Sequence, residues 1–245
     1  AGDLVNDDSL SGALASDGTA ATAGVDGYAI TQGSLANGNY AITFEGGTLQ
    51  VTPRGITVAA SDASKTYGET TDLGYEITAG DLVNDDSLSG ALASDGTAAA
   101  AGVDSYAITQ GSLANGNYAI TFEGGALQVT PRGITVAATD ASKTYGETTD
   151  LDYEITAGDL VNGDSLSGEL ASDGTAVTAG VDSYVITQGS LANGNYAITF
   201  EGGALQVTPR GITVAASDAS KTYGETTDLG YEITAGDLVN GDSLS

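Results

Sequence analysis

The chain of 245 residues contains no Cys, Met, Trp or His, and only three Pro. Without Cys there is no disulfide, no Cys-based zinc site and no thiol nucleophile. Without His a Ser-His-Asp triad is excluded. No apolar run approaches the ~20 residues that a membrane span needs, so we expect no membrane insertion.

Positive charge is also scarce: six Lys and Arg stand against 33 Asp and Glu, a formal net charge of -27. Nucleic-acid affinity comes mainly from cations that neutralise phosphates, so this chain is not expected to bind nucleic acid. Anionic membrane surfaces are disfavoured for the same reason. The acid excess keeps the chain soluble and its copies apart.

What the chain does contain is a repeat of 78 residues. The string Ala-Gly-Asp-Leu-Val begins at Ala1 and returns at Ala79, Ala157 and Ala235. A period of this length predicts an array of equal units. A unit of this size buries only about 60% of its unfolded surface, so we expect modest stability and a role for contacts between neighbours.

Period-two alternation of apolar and polar residues predicts half-buried antiparallel strands within each unit. In one copy the alternating segments are 56–58, 73–78, 105–109, 117–122 and 127–130. Their pattern places Tyr75, Tyr106 and Tyr118 in the core. Residues 81–85 suit a helical turn, and a further strand is expected near 89–93.

Turn residues divide these segments. Asn115-Gly116 and Gly124-Gly125 predict tight hairpins, and Asp95-Gly96 predicts a chain reversal. Pro131 fits the end of a strand, where no ladder donor is needed. It therefore predicts the joint between two units.

On this reasoning the boundaries lie near 54/55, 132/133 and 210/211. Segments 55–132 and 133–210 are complete repeats, whereas 1–54 and 211–245 are truncated ones; a frame that starts at residue 1 remains the alternative. We expect the chain to be part of a longer array. Each truncated repeat should expose an unpaired sheet edge, which predicts head-to-tail self-association between molecules.

Closely spaced carboxylates form the strongest candidate for a metal site. Calcium takes six to eight oxygen ligands, and carboxylates with loop carbonyls supply them. The spacing is not that of an EF-hand, and later copies lose one carboxylate to Gly163. A solvated turn with a helix-capping Asp is the alternative. The candidate calcium ligands are Asp81, Asp85 and Asp86 and their repeats Asp3, Asp7 and Asp8. No other cofactor is predicted.

The segment Lys65-Thr66-Tyr67-Gly68 is interpreted as structural. We expect Tyr67 to pack its ring, Gly68 to take a conformation barred to other residues, and Lys65 to pair with a carboxylate. No catalytic residue is predicted, and an array of near-identical copies is not typical of an enzyme, whose site is usually built once.

The string Ile-Thr-Val-x5-Lys-x-Tyr-Gly at 56–68 and 134–146, with the later Gly-Asp-Leu-Val-Asn, Tyr-x-Ile-Thr-x-Gly and Leu-x-Val-Thr-Pro, resembles the MBG repeat of the YGX type. The resemblance implies a β-grasp-like module that occurs in tandem in large bacterial exoproteins. These include filamentous-haemagglutinin-like adhesins and autotransporter passengers. It implies an extracellular, adhesion-associated array and brings no catalytic residues.

Together these observations predict a mainly β protein of tandem small β-grasp-like, antiparallel-sheet domains arranged as an extended rod. The expected function is a non-catalytic stalk or spacer of a bacterial cell-surface or secreted adhesin. The alternative is a repeated module that binds a glycan or host protein, with avidity from its copies. Partners are then expected through the wider adhesin, outside the cell.

Overall fold

The computed structural model describes residues 4–244, and Asp3 therefore lies outside the described residues. The chain divides into two compact units, Ala1–Thr130 and Pro131–Ser245. Regular structure is almost entirely β, as predicted, in small three-stranded and two-stranded sheets. Within residues 4–244 no helix has the length and apolar character that a membrane crossing requires.

The strands are short and recur along the chain. The first unit contains β1 (Gly27–Ile30), β2 (Gly47–Gln50), β3 (Arg54–Ala60), β4 (Ala63–Thr66), β5 (Tyr75–Ala79), β6 (Ser105–Ile108), β7 (Tyr118–Glu123) and β8 (Gly125–Thr130). The second contains β9 (Arg132–Ala138), β10 (Ala141–Thr144), β11 (Tyr153–Ala157), β12 (Ser183–Ile186), β13 (Tyr196–Glu201), β14 (Gly203–Thr208), β15 (Thr213–Ala216) and β16 (Tyr231–Ala235). Short 3₁₀ helices span Asp17–Thr19, Asp95–Thr97 and Asp173–Thr175.

Each complete set of strands forms two mixed sheets. In the first unit their orders are β5-β3-β7 and β4-β8-β6, and in the second β11-β9-β13 and β10-β14-β12. These small sheets agree with the predicted fold class; they contain antiparallel pairs, but β3 pairs with β7, and β4 with β8, in parallel. Parallel partners need a long connection between them, and here some sixty residues of the repeat provide it. Strands β3 to β8 pair with one another; the exact repeat boundaries remain a prediction.

The predicted hairpins are also wrong. Asn115-Gly116 joins β6 to β7, and Gly124 joins β7 to β8, but each junction carries the chain from one sheet to the other. Neither junction has the positive φ angle of a tight hairpin. Positive φ angles occur at other glycines, such as Gly90 (φ 87) and Gly111 (φ 57). Local turn residues identify a change of direction and do not identify which strands pair across it.

Residues 81–93 differ from expectation as well. The segment 81–85 contains a turn at Asn84-Asp85 in place of a helical turn. The further strand expected near 89–93 is reduced to two isolated bridges, Ser89 with Ala114 and Ala93 with Thr109. The predicted reversal at Asp95-Gly96 is a 3₁₀ helix.

The apolar phase of the strands forms the core. Ile56 and Val58 of β3 pack with Leu113 and Tyr118, so the core position predicted for Tyr118 is confirmed. Tyr106 is half-buried. Tyr75 is 37% exposed, contrary to prediction, because it begins β5 at the edge of its sheet.

Identical sequence takes two conformations in this chain. Residues 39–44 repeat Asn117–Phe122 letter for letter, yet β7 is a strand and residues 41–46 have no regular structure. In residues 4–244 no strand lies beside 41–46, whereas β7 has β3 as its neighbour. A neighbour therefore decides whether this segment becomes a strand. The predicted head-to-tail association between such segments remains a prediction.

Candidate functional site: the acidic turn and the joint between repeats

The acidic turn spans residues 83–86. Asn84 and Asp85 have φ angles of 56° and 58°, and the amide of Asp86 donates to the carbonyl of Val83 at 3.0 Å. Two successive positive φ angles are the mark of a type I′ turn, which favours Asn followed by Gly. Gly163 and Gly241 occupy the second position in later copies, and Asp85 adopts the same conformation without being glycine.

The hydroxyl of Tyr118 braces this turn from the core side. It accepts a hydrogen bond from the Val83 amide at 2.8 Å and lies 2.9 Å from the Asp86 carboxylate, to which it donates. The same bracing recurs at Tyr40 with Asp8 and at Tyr196 with Asp164. The Asp86 carboxylate is thus a structural acceptor. The Asp at this position is present in every copy that has the tyrosine, and that was the available sequence signal.

The candidate calcium ligands are only partly brought together. Asp85 and Asp86 are adjacent in the turn, and Asp7 and Asp8 occupy the same positions in the first copy, with Asp7 at φ 61°. The carbonyl of Asp81 accepts from Arg54 Nε at 3.1 Å. Within residues 4–244 no group of three or more acidic side chains is arranged to hold a metal ion. Calcium binding by these residues stays a prediction.

Removing one oxygen tests the bracing. Tyr118→Phe should lower the free energy of unfolding by about 1–3 kcal/mol, because the Val83 amide loses its acceptor and the Asp86 carboxylate loses its donor. Urea unfolding of the full chain measures this. Tyr75→Phe is the matched control: Tyr75 is 37% exposed, and we expect a change below about 0.5 kcal/mol. Equal effects of the two substitutions would contradict a structural role for the hydroxyl.

Lys65 is buried, with 5% of its surface exposed. Its Nζ donates to the backbone carbonyls of Glu69 (2.8 Å) and Ala98. The hydrogen-bond acceptors of Lys65 are therefore backbone carbonyls and not the carboxylate predicted from the sequence. Burial lowers the pKa of Lys65, and the nearby Glu69 charge opposes the shift. Lys65 fastens the loop after β4 to the end of the 3₁₀ helix, which is a structural task and agrees with the interpretation from sequence.

A joint between consecutive repeats lies inside the first unit. Asn84 Nδ2 in the acidic turn donates to the carbonyl of Ala21 at 3.0 Å. Asn117 Oδ1 accepts from the amide of Val25 at 3.0 Å. Both contacts are between an asparagine side chain and the backbone, so they fix the preceding repeat without depending on its side chains. We call this pair of contacts the asparagine joint.

A cleft of about 350 Å³ opens at the asparagine joint. Its lining is mostly polar and contains one cation. The lining includes Thr22, Arg54, Asn84, Asp86, Asn117 and Tyr118. The turn, its tyrosine brace and the asparagine joint are therefore one continuous structure at this end of the repeat.

The second unit contains the counterpart of the Asn84 contact. Asn240 Nδ2 donates to the carbonyl of Val177 at 3.0 Å, as Asn84 does to Ala21. Here Gly146 also matters, because a Cβ at this position would lie 2.6 Å from Val239 Cγ2. Gly146 has φ 86°. Gly146 of the Tyr-Gly motif thus has the positive φ angle expected for it, and its missing side chain also lets the next repeat approach closely. Sequence reasoning assigned no role to Asn84, Asn117 or Asn240.

Comparison with known proteins agrees with the repeated structure. A family model described as MBG domain (YGX type) matches residues 1–50, 56–128 and 134–206. No curated protein matches the chain. Since the three matches cover well over half of the sequence, the chain belongs to the MBG domain (YGX type) family as a tandem-repeat segment.

Proposed function

We propose that this segment is a non-catalytic stalk or spacer of a bacterial cell-surface or secreted adhesin. The observation that carries the proposal is the asparagine joint, whose contact from the turn asparagine to the preceding repeat recurs at 3.0 Å in both units. A spacer needs each repeat to hold its neighbour in a defined orientation, and it does not need a unique site. Side-chain-to-backbone contacts of this kind meet that need.

The absence of His and Cys from the sequence supports the non-catalytic part of the proposal, since these residues supply many nucleophiles and general bases. The acidic composition fits an extracellular location, because negative charge keeps the protein soluble and holds neighbouring copies apart. The tandem MBG repeats support the adhesin context through the family resemblance.

Charge substitution at the joint tests the spacer. Asn84→Asp keeps the shape and the turn preference of the residue but removes the donor to Ala21. We expect the Val25 amide, held by Asn117, to exchange its hydrogen about five times faster, which corresponds to a lost hydrogen bond of about 1 kcal/mol. Hydrogen exchange of the full chain measures this. Small-angle scattering should show a broader range of repeat orientations in the variant.

Asn6→Asp is the matched control, because Asn6 has the same φ of 56° at the same position of the first repeat. It adds the same charge and should leave Val25 exchange unchanged. Unchanged Val25 exchange in Asn84→Asp would remove the joint from the argument. A glycan and matrix-protein array with the full chain addresses function itself: the spacer predicts no reproducible binding, and reproducible hits would overturn it.

A second candidate, a repeated glycan-binding module, is favoured by one observation. A groove recurs between the 3₁₀ helix and the edge strand, with volumes of about 190 Å³ in the first unit and 340 Å³ in the second. Its lining combines an aromatic ring, a carboxylate and hydroxyls, which are the groups that contact sugars. They are Ser94, Asp95, Tyr106 and Thr109 in one unit and Ser172, Asp173, Tyr184 and Thr187 in the other. Hits on the array that disappear in Tyr106→Ala would select this candidate.

A further inference from the structure

The joint asparagines of the two units differ in the residue that follows them. Asn84 is followed by Asp85, whereas Asn240 is followed by Gly241. Both asparagines take φ 56° in the same turn, and both donate to a carbonyl of the preceding repeat at 3.0 Å. Equal structural roles are thus combined with unequal chemistry, because the amide nitrogen of the following residue is a nucleophile for the asparagine side chain.

We propose that Asn240-Gly241 is a site of spontaneous deamidation that releases the joint it forms. The Gly241 backbone nitrogen attacks Cγ of Asn240 and forms a new C–N bond. The Cγ–Nδ2 bond breaks, and ammonia leaves with the proton from the backbone amide. Water then opens the cyclic imide and gives Asp or isoaspartate. The net change is one amide plus water to one carboxylic acid plus ammonia, with no oxidant or enzyme.

Local geometry makes Gly241 the more reactive neighbour. A Cβ at Gly241 would meet nothing within 4 Å, so no distant part of the chain crowds the residue that carries the attacking nitrogen. Asn240 itself is exposed to water. Asp85 instead places a branched, negatively charged side chain beside the attacking nitrogen of the equivalent turn, which crowds it and opposes its deprotonation. Asn162-Gly163 has the reactive dipeptide in the same kind of turn, with φ angles of 57° and 78°.

Asparagine followed by glycine is not sufficient by itself, and the chain provides an internal comparison. Asn115 and Asn193 also precede glycine, but both ends of each side-chain amide are held. Asn115 Nδ2 donates to the Ser87 carbonyl at 2.9 Å, and its Oδ1 accepts from the Asn117 amide at 3.0 Å. Rotation of Cγ toward the next nitrogen breaks both bonds there. At Asn240 the structure places one such bond, to Val177.

The product cannot replace the amide. An Asp carboxylate only accepts hydrogen bonds, so at residue 240 it faces the Val177 carbonyl without a proton to offer and repels it. Replacement of the amide by a carboxylate removes the donor that joins the repeats and adds a negative charge to an already acidic chain. Deamidation therefore loosens this joint with age, while the joint at Asn84 persists. This consequence rests on the proposed role of the joint, whereas the chemistry does not.

Ageing of the full chain at mildly alkaline pH and 37 °C tests the chemistry. Peptide mass spectrometry should detect a gain of about one dalton at Asn240 about ten times faster than at Asn84, because glycine leaves the attacking nitrogen uncrowded. The matched variant Gly241→Asp, which restores the sequence of the earlier repeats, should slow the reaction to the rate at Asn84. Equal rates at Asn240 and Asn84, at Asn240 and Asn115, or in the variant and the parent would overturn the proposal.

Release of the joint is tested separately with Asn240→Asp, which supplies the product directly. Hydrogen exchange in the peptide 222–245 should become faster than in the parent chain, as it should in the aged sample. Asn6→Asp controls for added charge. Fast deamidation with unchanged exchange in Asn240→Asp would overturn the release while leaving the modification site. Val25 exchange in the same samples reports on the joint at Asn84 and should stay unchanged. The spacer proposal is tested separately by Asn84→Asp, so its failure is distinguishable from a failure of the release.

Discussion

Gly90→Ala should destabilise its repeat by roughly 3 kcal/mol or more, through a non-glycine residue at positive φ and an overlap with backbone. Gly90 has φ 87°, and a Cβ there would lie 2.2 Å from the carbonyl oxygen of Ser112. That oxygen belongs to a loop fixed by the bond from the Ser112 amide to the Ala91 carbonyl at 2.9 Å. Neither group moves without breaking the contact that aligns residues 89–93 with 109–114.

Gly116→Ala is the matched control for this substitution. Gly116 lies in the same repeat, has no positive φ, and a Cβ there would meet nothing within 4 Å. We expect a change within about 0.5 kcal/mol. Hydrogen exchange of peptides from 54–130, together with urea unfolding of the full chain, measures both variants in the repeat that carries them. Similar stability of the two would show that the fold relaxes around residue 90.

Leu127→Ala should lower the free energy of unfolding by about 2–5 kcal/mol, the range for loss of a buried leucine with a cavity left behind. Leu127 has no exposed surface and lies on β8, the central strand between β4 and β6. Neighbours on both sides of the strand restrict the collapse that would fill the cavity. The same measurement by urea unfolding and hydrogen exchange applies.

The chain supplies its own control for Leu127. Leu49 is the equivalent residue of the first repeat, but its strand β2 pairs with β1 alone, and its side chain is only partly buried. Leu49→Ala should therefore cost clearly less than Leu127→Ala, since less apolar surface returns to water. A cost for Leu49→Ala as large as that for Leu127→Ala would mean that the missing neighbour strand does not contribute to burial.

The strands most reliably predicted from sequence are those with strong alternation. The predicted segments 56–58 and 127–130 fall within β3 and β8, and 117–122 overlaps β7 from Tyr118 onward. Strand β4 was missed because Ala63–Thr66 has little apolar character of its own. It becomes a strand by pairing with β8 in parallel. Residues 219–222 carry the same four letters and form no strand.

The candidate site, like the strands, was predictable from the sequence only in part. The carboxylates at 85 and 86 are adjacent in the sequence, so their presence together in one turn was predictable. The partners that give them a role are distant along the chain: Tyr118 for Asp86, and Ala21 for the neighbouring Asn84. An asparagine in a turn looks the same whether its amide meets water or the next repeat. Composition alone therefore gave no signal for the asparagine joint.

The sequence by itself determined that this protein is a β-rich, acidic tandem array, because periodicity, alternation and charge are local properties that any single copy displays. Only the tertiary structure decided which strands pair in parallel, where Lys65 and Asp86 find partners, and which asparagines join the repeats. Those outcomes depend on contacts between residues far apart in the chain. The identical segments 39–44 and 117–122 carry the same local preferences, and only the second has a neighbouring strand whose backbone groups satisfy its own.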